Sequence, residues 1–282
     1  MRRPTPAAWL GEIKEAQVLV LPLVKDVSKE YPPGWISYRE FLVDSPEVEI
    51  ICGGLSQRKP DGAALWRQGH LLHFAFDLSP AEMNETGKAL LINSIAYIAR
   101  FTEDRPIART PSPWSSAGDM PRPRSWAENL FASQKPSMVA LNSYLSPATV
   151  SVVANFDRAS YSNWFKENSP FLTCDTKGRL LVDAAAKELG IRFDQPEFFP
   201  RIIERLKDRA SAAKARELLN RYAPDGPPAG SPEQWDQWWQ ANRPYLFFSE
   251  QGSYRWYIDP LAKHRANPSV QLRGSARASL PR

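Results

Sequence analysis

Three residues in the N-terminal half carry side chains that hydrolases use, namely Cys52, His73 and Asp77. A thiol, an imidazole and a carboxylate that meet in space would supply a nucleophile, a general base and the group that orients the base. Cys52 follows an apolar segment and precedes two glycines, as a residue at the end of a strand would. These residues define a candidate hydrolytic site at the carboxyl ends of predicted strands, where open α/β sheets bind their ligands.

The motifs around these residues favour a structural role instead. Neither Cys52 nor Cys174 lies in a Gly-x-Cys-x-Gly elbow, and no serine lies in Gly-x-Ser-x-Gly. His70 and His73 are three positions apart, so in a regular strand they point to opposite faces and cannot share an ion. We therefore predict no metal site. No phosphate loop or dinucleotide fingerprint is present, and no cofactor is predicted.

A second group of candidates is the aromatic cluster near the C-terminus, which contains Trp235, Trp239, Tyr254 and Trp256. Trp235, Trp238 and Trp239 follow helical spacing, which predicts an apolar stripe packed in a core. The alternative is a partly exposed aromatic surface that binds a sugar, a peptide or another subunit.

Composition sets the limits within which these candidates are judged. The chain has 282 residues, with 43% apolar and 24% charged, as in an ordinary globular protein. The net charge is only +5, and the 36 lysines and arginines are scattered among 31 acidic residues. This distribution does not favour a nucleic-acid ligand. The start of the chain lacks the pattern of a signal peptide, so we expect a cytoplasmic protein, or an extracytoplasmic one if residues precede Met1. No apolar stretch is long enough to span a bilayer.

The N-terminal hundred residues read as strands followed by one helix. Ala16–Val24 is a continuous apolar run, which predicts a strand buried on both faces. Val48–Cys52 predicts a second strand, and Ala63–Trp66 with Leu71–Phe76 predicts a hairpin around a glycine turn. Ser79 and Pro80 predict the start of a helix. Five apolar residues at helical spacing are expected to pack that helix on the sheet, namely Leu90, Leu91, Ile95, Ile98 and Ala99.

After a segment rich in proline, serine and charge, the chain becomes helical. Helices are predicted at Trp126–Phe131, Pro147–Asn155, Leu180–Leu189, Phe198–Arg209 and Ala212–Tyr222, the third ending at Gly190. Trp164–Leu172 matches Trp238–Leu246 in its Trp-x3-Asn-x-Pro-(Phe/Tyr)-Leu pattern, and the match extends to Gly178 and Gly252. We predict a Trp-bearing helix followed by a hairpin, used twice.

The hairpin and helix of the N-terminal region resemble the closing segment of the class I glutamine-amidotransferase-like fold, especially its ThuA-like members. The matching residues are Trp66, Gly69, Phe74, Phe76, Asp77, Ser79, Pro80, Asn93, Tyr97 and Ile98. The resemblance covers about residues 16 to 105 and implies part of a flavodoxin-like open sheet. Catalytic members carry a nucleophile elbow and a downstream His-x-Glu, and this chain has neither. It implies a degenerate copy without activity.

These observations lead to one domain plan and two functional hypotheses. Residues 1–105 are predicted to form an α/β domain without catalytic residues, 106–124 a proline-rich linker, 125–265 a mainly α-helical domain with short β-hairpins, and 266–282 a basic disordered tail. The leading hypothesis is a non-catalytic binding protein with a protein or carbohydrate ligand. The alternative is a hydrolase or carbohydrate-active enzyme that uses Cys52, His73 and Asp77.

Overall fold

The fold is seen in a computed structural model, which describes residues 2–5, 14–31, 34–39, 42, 45–54, 62–108, 121–131, 135–259 and 262. These residues have mixed α and β content, with helices predominating toward the C-terminus. They form two compact units, the first up to Ile107 and the second from Ala108. That boundary lies within the predicted linker, most of which is outside the described residues, as is the predicted tail.

The first unit is built on a three-stranded antiparallel sheet. Its strands are β3, β4 and β5, in that spatial order, and they follow a short pair formed by β1 and β2. The bounds of the five strands are Arg2–Pro4, Gln17–Leu19, Val48–Gly54, Gly62–Gln68 and Leu71–Phe74. The predicted strand at Val48 and the predicted hairpin are both confirmed. All strand pairs described in this unit are antiparallel, whereas flavodoxin-like sheets are built mainly from parallel strands.

Gly69 makes the tight turn between β4 and β5 possible. Its φ angle is +56°, in the left-handed region that residues with a side chain rarely adopt. A Cβ atom at this position would also lie 2.2 Å from the carbonyl oxygen of Asp104. The glycine therefore serves both the turn and the close approach of the chain that ends the first unit.

The expectation of a buried strand at Ala16–Val24 is wrong. Only Gln17–Leu19 forms a strand, and Leu19 and Leu21 are exposed. β2 has one described partner, β1, so no sheet covers both of its faces. Farther along, the carbonyl of Leu23 accepts a hydrogen bond from the backbone of Asn84. The end of the apolar run thus anchors a helix.

That helix, α1, spans Glu85–Ile98 and begins five residues later than Ser79 and Pro80 predict. Asn84 is its N-cap, because its side chain accepts a 2.9 Å hydrogen bond from the backbone N–H of Gly87. The same amide donates to the carbonyls of Pro22 and Val24, at 3.0 and 3.2 Å. These contacts with a distant segment favour a helix that begins after Asn84 over one that begins at the local signal of Ser79 and Pro80.

The packed face of α1 also differs from the expected one. Its fully buried residues are Gly87 and Ser94, flanked by half-buried Leu90, Leu91 and Ile98. Ile95 is 60% exposed and Ala99 is exposed as well, so the prediction that they pack on the sheet is wrong. An unpaired apolar face remains on the outer side of the helix.

The second unit contains eight helices and two hairpins among the described residues. The helices α2–α9 span Arg124–Glu128, Met138–Tyr144, Pro147–Val153, Arg158–Asn168, Ala184–Leu189, Phe198–Lys207, Ala212–Tyr222 and Pro232–Asn242. The hairpin strands β6–β9 span Leu172–Cys174, Leu180–Val182, Leu246–Ser249 and Arg255–Ile258. The helices predicted at Phe198–Arg209 and Ala212–Tyr222 are confirmed as α7 and α8. The predicted helix at Leu180–Leu189 is wrong in its first half, which is strand β7, but it ends at Gly190 as expected.

The duplicated unit is confirmed, and its two copies share their local geometry. α5 and α9 each end in a 3₁₀ turn containing the proline, and a hairpin follows. The helix bounds, the 3₁₀ turns and the first strand residues are all offset by 74 positions. Val182 lies ten positions after its partner Leu172, and Ile258 lies twelve positions after its partner Leu246. The second hairpin is therefore longer by two residues.

The repeat extends beyond the stretch visible from the Trp-Asn-Pro pattern. Asp183 and Asp259 follow the two hairpins, and each backbone N–H donates a 2.8 Å bond to the aromatic residue before the first strand. Each aspartate side chain then accepts from the backbone of an alanine three residues later, Ala186 or Ala262. Both copies thus close with the same Asp-x-x-Ala capping turn.

A large aromatic core holds the second unit together. Tyr161 and Trp235 occupy equivalent positions on α5 and α9, and both are fully buried. Phe193 stacks on Tyr222 with a centroid separation of 4.0 Å. By contrast, the larger buried cluster described in the first unit consists of only Leu42, Val48 and Ala63. The second unit is the better-packed half of the chain.

Candidate functional site

The sheet separates two of the three predicted catalytic residues. Cys52 pairs with Leu65 across β3 and β4, whereas His73 pairs with Trp66 across β4 and β5. Cys52 lies on β3 and His73 on β5, with β4 between them. Two strand spacings place their backbones roughly 10 Å apart. The structure does not bring them together as a nucleophile and its base.

The contacts of the three residues are local and do not link them to one another. The Nε2 atom of His73 lies 2.6 Å from the carbonyl oxygen of Trp35, to which it donates a hydrogen bond, and the ring stacks on Trp66. The Cys52 thiol donates to the carbonyl of Gly53, and burial raises the pKa of that thiol. Asp77 is exposed beyond the end of β5. This arrangement gives no activated nucleophile.

The aromatic candidates lie in the core of the second unit. Trp235 and Tyr254 are fully buried and Trp256 is nearly so, while Trp239 is half-buried and stacks on Phe199 at 4.7 Å. Two of them are fixed by polar contacts: the Tyr254 hydroxyl donates to the carbonyl of Arg122, and the Trp256 indole donates to that of Phe193, both at 2.6 Å. Three of the four candidates lie in the core, and Trp239 lies at its edge with part of its ring exposed.

A buried arginine organises the charged groups of the second unit. Arg124 donates to Asp194 at 2.5 Å and lies 3.9 Å from Glu250. Its guanidinium also donates twice to the carbonyl of Leu172 in the first repeat. Burial alone would raise the pKa of Asp194, but the charges of Arg124 and Arg192 outweigh burial and lower it. Every group in the network is engaged, so it acts as a structural clamp.

A second polar network surrounds the cap of α6. The Asp183 carboxylate accepts from the Tyr222 hydroxyl at 2.6 Å, from the Arg221 guanidinium and from the backbone of Ala186. Burial, with the nearby Asp183 charge, raises the pKa of the Tyr222 hydroxyl. The Tyr222 hydroxyl therefore keeps its proton and donates it in a hydrogen bond to Asp183, and we assign this hydrogen bond a structural role.

The first unit has its own polar cluster beside the turn of the β4–β5 hairpin. Arg67 bridges Glu49 at 2.9 Å and Asp104 at 3.3 Å, and its guanidinium lies 3.7 Å from the centre of the Phe101 ring. Tyr97 donates to Glu49 at 2.6 Å. Nowhere in the described ranges could a group of three or more His, Cys, Asp or Glu residues hold a metal ion. The cluster ties the end of α1 to the sheet.

A shallow hollow of about 670 Å³ lies along α7, and its walls mix charges of both signs. Several of its polar groups already have partners: Arg201 donates to the carbonyl of Gly190, Glu204 pairs with Lys207, and Asp208 accepts from Ser211. No array of free groups of one sign faces the hollow. The lining residues are Ile191, Pro200, Arg201, Glu204, Arg205 and Asp208.

The feature that the sequence predictions missed is the outer face of α1. Ile92 is 63% exposed on the side opposite Gly87 and Ser94, and Ile95 is 60% exposed about a quarter turn from them. The sequence did contain a signal for this face. Gly87 and Ser94 are small or polar and lie seven residues apart, so they share one side of the helix, whereas apolar residues occur all round it. The prediction followed hydrophobicity alone and therefore placed the isoleucine side against the sheet.

Comparison with known protein families, curated proteins and solved structures gives no match for this chain. Its fold and site are therefore interpreted from the residues themselves. In the portion of the chain that the structure describes, no helix has the length and apolar character needed to cross a membrane.

Proposed function

We propose that the chain is a non-catalytic binding protein whose N-terminal unit docks on a protein partner. The observation that carries this proposal is the concentration of exposed apolar side chains in that unit. Soluble proteins expose single apolar residues routinely, but a unit with a small core and many such residues indicates an interface. The eight large ones described as exposed are Leu19, Leu21, Val27, Trp35, Ile51, Leu71, Ile92 and Ile95.

The second unit supplies the contrast. Its described residues expose three large apolar side chains, Met138, Val139 and Val152, around a core that is otherwise closed. Most of the large exposed apolar side chains of the first unit are aliphatic, and aliphatic side chains suit a protein ligand better than a sugar ligand. A sugar is usually stacked on exposed aromatic rings, and the C-terminal aromatic cluster is buried. These points favour a protein ligand over a carbohydrate.

We also propose that the first unit is a degenerate relative of the amidotransferase-like fold. The order of strand, glycine turn, strand and helix over β4, β5 and α1 supports this, as does the residue pattern from Trp66 to Ile98. A flavodoxin-like open sheet would need parallel strands in addition to these. The placement of Cys52 and His73 on different strands, with β4 between them, supports the loss of the reaction.

Affinity capture with two matched surface variants tests the binding function. The first variant carries Leu19→Ser, Trp35→Ser and Ile95→Ser in the N-terminal unit, and the control carries Met138→Ser, Val139→Ser and Val152→Ser. Partners retained by the wild type should be lost with the first variant and kept with the control, as quantified by mass spectrometry. Equal capture by the three proteins would overturn the proposed surface.

A second assay addresses the enzyme alternative. The purified chain is expected to hydrolyse ester, amide and glycoside substrates no faster than a buffer blank. Activity that disappears in Cys52→Ala or His73→Ala would overturn the proposal in favour of a hydrolase or carbohydrate-active enzyme. Both substitutions affect half-buried residues, so circular dichroism of each variant confirms that the fold is retained.

A further inference from the structure

We propose that the outer face of α1 is a self-association surface, on which α1 of a second copy of this chain packs antiparallel. This inference rests on the proposed binding function and names the partner for one part of its surface. Helix α1 runs for 14 residues, and its inner side is fixed by the buried Gly87 and Ser94. The outer side is exposed along the whole length of the helix.

The outer residues form one continuous stripe. At 100° per residue they fall within an arc of about 120° that lies clear of Gly87 and Ser94. Five are apolar, and the two polar ones, Glu85 and Lys88, both lie at the N-terminal end. The apolar members are Ala89, Ile92, Ile95, Ala96 and Ala99.

The shape of this stripe suits a copy of itself. Two isoleucines stand among three alanines, whose small side chains let the two helices approach closely. A twofold axis requires that if residue i faces residue j, then j faces i. With the axis between Ile92 and Asn93, Ala89 of one copy faces Ala96 of the other. The isoleucines then meet at the centre of the interface.

The charges select the antiparallel direction. In this register Glu85 of one copy faces Arg100 of the other, and the pair forms twice. Glu85 is exposed, with Lys88 at 2.8 Å, and Arg100 lies over the Tyr97 ring at 5.6 Å. In a parallel pair, each charged residue would instead lie beside the same residue of the other copy, and the like charges would repel. Antiparallel helices also align their dipoles favourably.

Sedimentation equilibrium over a concentration series tests the association. The wild type should show a reversible monomer–dimer equilibrium, and Ile92→Ser with Ile95→Ser should weaken it by about tenfold or more. The control Met138→Ser with Val139→Ser, in the second unit, should leave the equilibrium unchanged. A wild type that stays monomeric at every concentration overturns the inference. If affinity capture of another protein persists in that case, the proposed function still stands.

Cysteine cross-linking and charge exchange test the register. Ala89→Cys mixed with Ala96→Cys should give disulfide-linked dimers well above the wild-type background, and either variant alone should not. Glu85→Arg should weaken the dimer and addition of Arg100→Glu should restore it. Cross-linking of each single variant with itself, or no rescue by the double charge exchange, overturns the antiparallel arrangement.

Discussion

Asn168 and Asn242 end two helices in the same way, although 74 residues separate them. The side-chain amide of Asn168 donates to the carbonyl of Trp164 at 2.7 Å, and that of Asn242 donates to Trp238 at 2.8 Å. Each asparagine keeps an α-helical backbone conformation, and a proline follows two residues later. The bond thus holds the last turn at the point where proline stops the helix.

Replacement of either asparagine by alanine should lower the free energy of unfolding. Asn242→Ala should cost about 1 kcal/mol, the value of one partly buried neutral hydrogen bond. Asn168→Ala should cost more, because its side chain also accepts from Lys187 at 2.8 Å. Urea unfolding followed by tryptophan fluorescence measures both.

A matched control exists in Asn129. Its amide makes the same bond to a carbonyl four residues earlier, that of Ser125, but the side chain is exposed. Asn129→Ala should therefore change stability by less than about 0.5 kcal/mol. Equal losses at Asn129 and Asn242 would show that burial does not strengthen the bond.

The repeat was predictable because its signals are local. Trp, Asn and Pro at fixed spacing specify where a helix ends and an extended segment begins, and a glycine marks each hairpin turn. The turn at Gly69 was predictable for the same reason, because a glycine between two short apolar runs is a local signal for a hairpin. The Asp183 and Asp259 caps were not predicted, since the two-residue difference between the hairpins shifts them out of the ungapped match.

Features that depend on distant partners were not predictable from local patterns. The start of α1 is decided by contacts of Asn84 with Pro22 and Val24, about sixty residues away. Ala16–Val24 has the composition of a buried strand, but burial requires strands on both sides. The separation of Cys52 from His73 depends on the strand order β3-β4-β5, which the pattern of each single strand does not reveal.

The longer hairpin turn of the second repeat stores backbone strain at Ser253. Its φ angle is +67°, in the left-handed region that costs a residue with a side chain about 1 kcal/mol relative to glycine. Ser253→Gly should therefore raise the free energy of unfolding by about 0.5–1 kcal/mol. Ser253→Ala is the control, because alanine keeps the strain. A destabilised Ser253→Gly variant would contradict this explanation.

The Arg124 clamp should be the most sensitive charged site in the second unit. Arg124→Met removes the buried cation that lies between Asp194 and Glu250, and we expect a loss of about 3–5 kcal/mol in urea unfolding. Arg192→Met removes the half-exposed partner of the same aspartate and should cost less than about 1 kcal/mol. Similar losses for the two variants would argue against a buried clamp.

The lowered pKa of Asp194 sets the direction of the pH dependence. A carboxyl group whose pKa is lower in the folded state stabilises the fold above its unfolded pKa of about 3.9, and loses this effect as the pH falls through the folded pKa. The wild type should thus lose stability between about pH 5 and pH 2. Asp194→Asn should lose less over that interval, as measured by thermal unfolding at each pH. Parallel curves would contradict the shift.

The two cysteines should differ in their reactivity toward thiol reagents. Burial raises the pKa of Cys174 to about 12, so only about one molecule in 10⁴ carries the thiolate there at pH 8. Cys52 is less buried, and its pKa is also raised. We expect iodoacetamide to label Cys52 more slowly than a free thiol and Cys174 more slowly still, with mass spectrometry of the peptides as the readout. In urea the two rates should become equal. Labelling of Cys52 faster than a free thiol would indicate an activated nucleophile and would revive the hydrolase alternative.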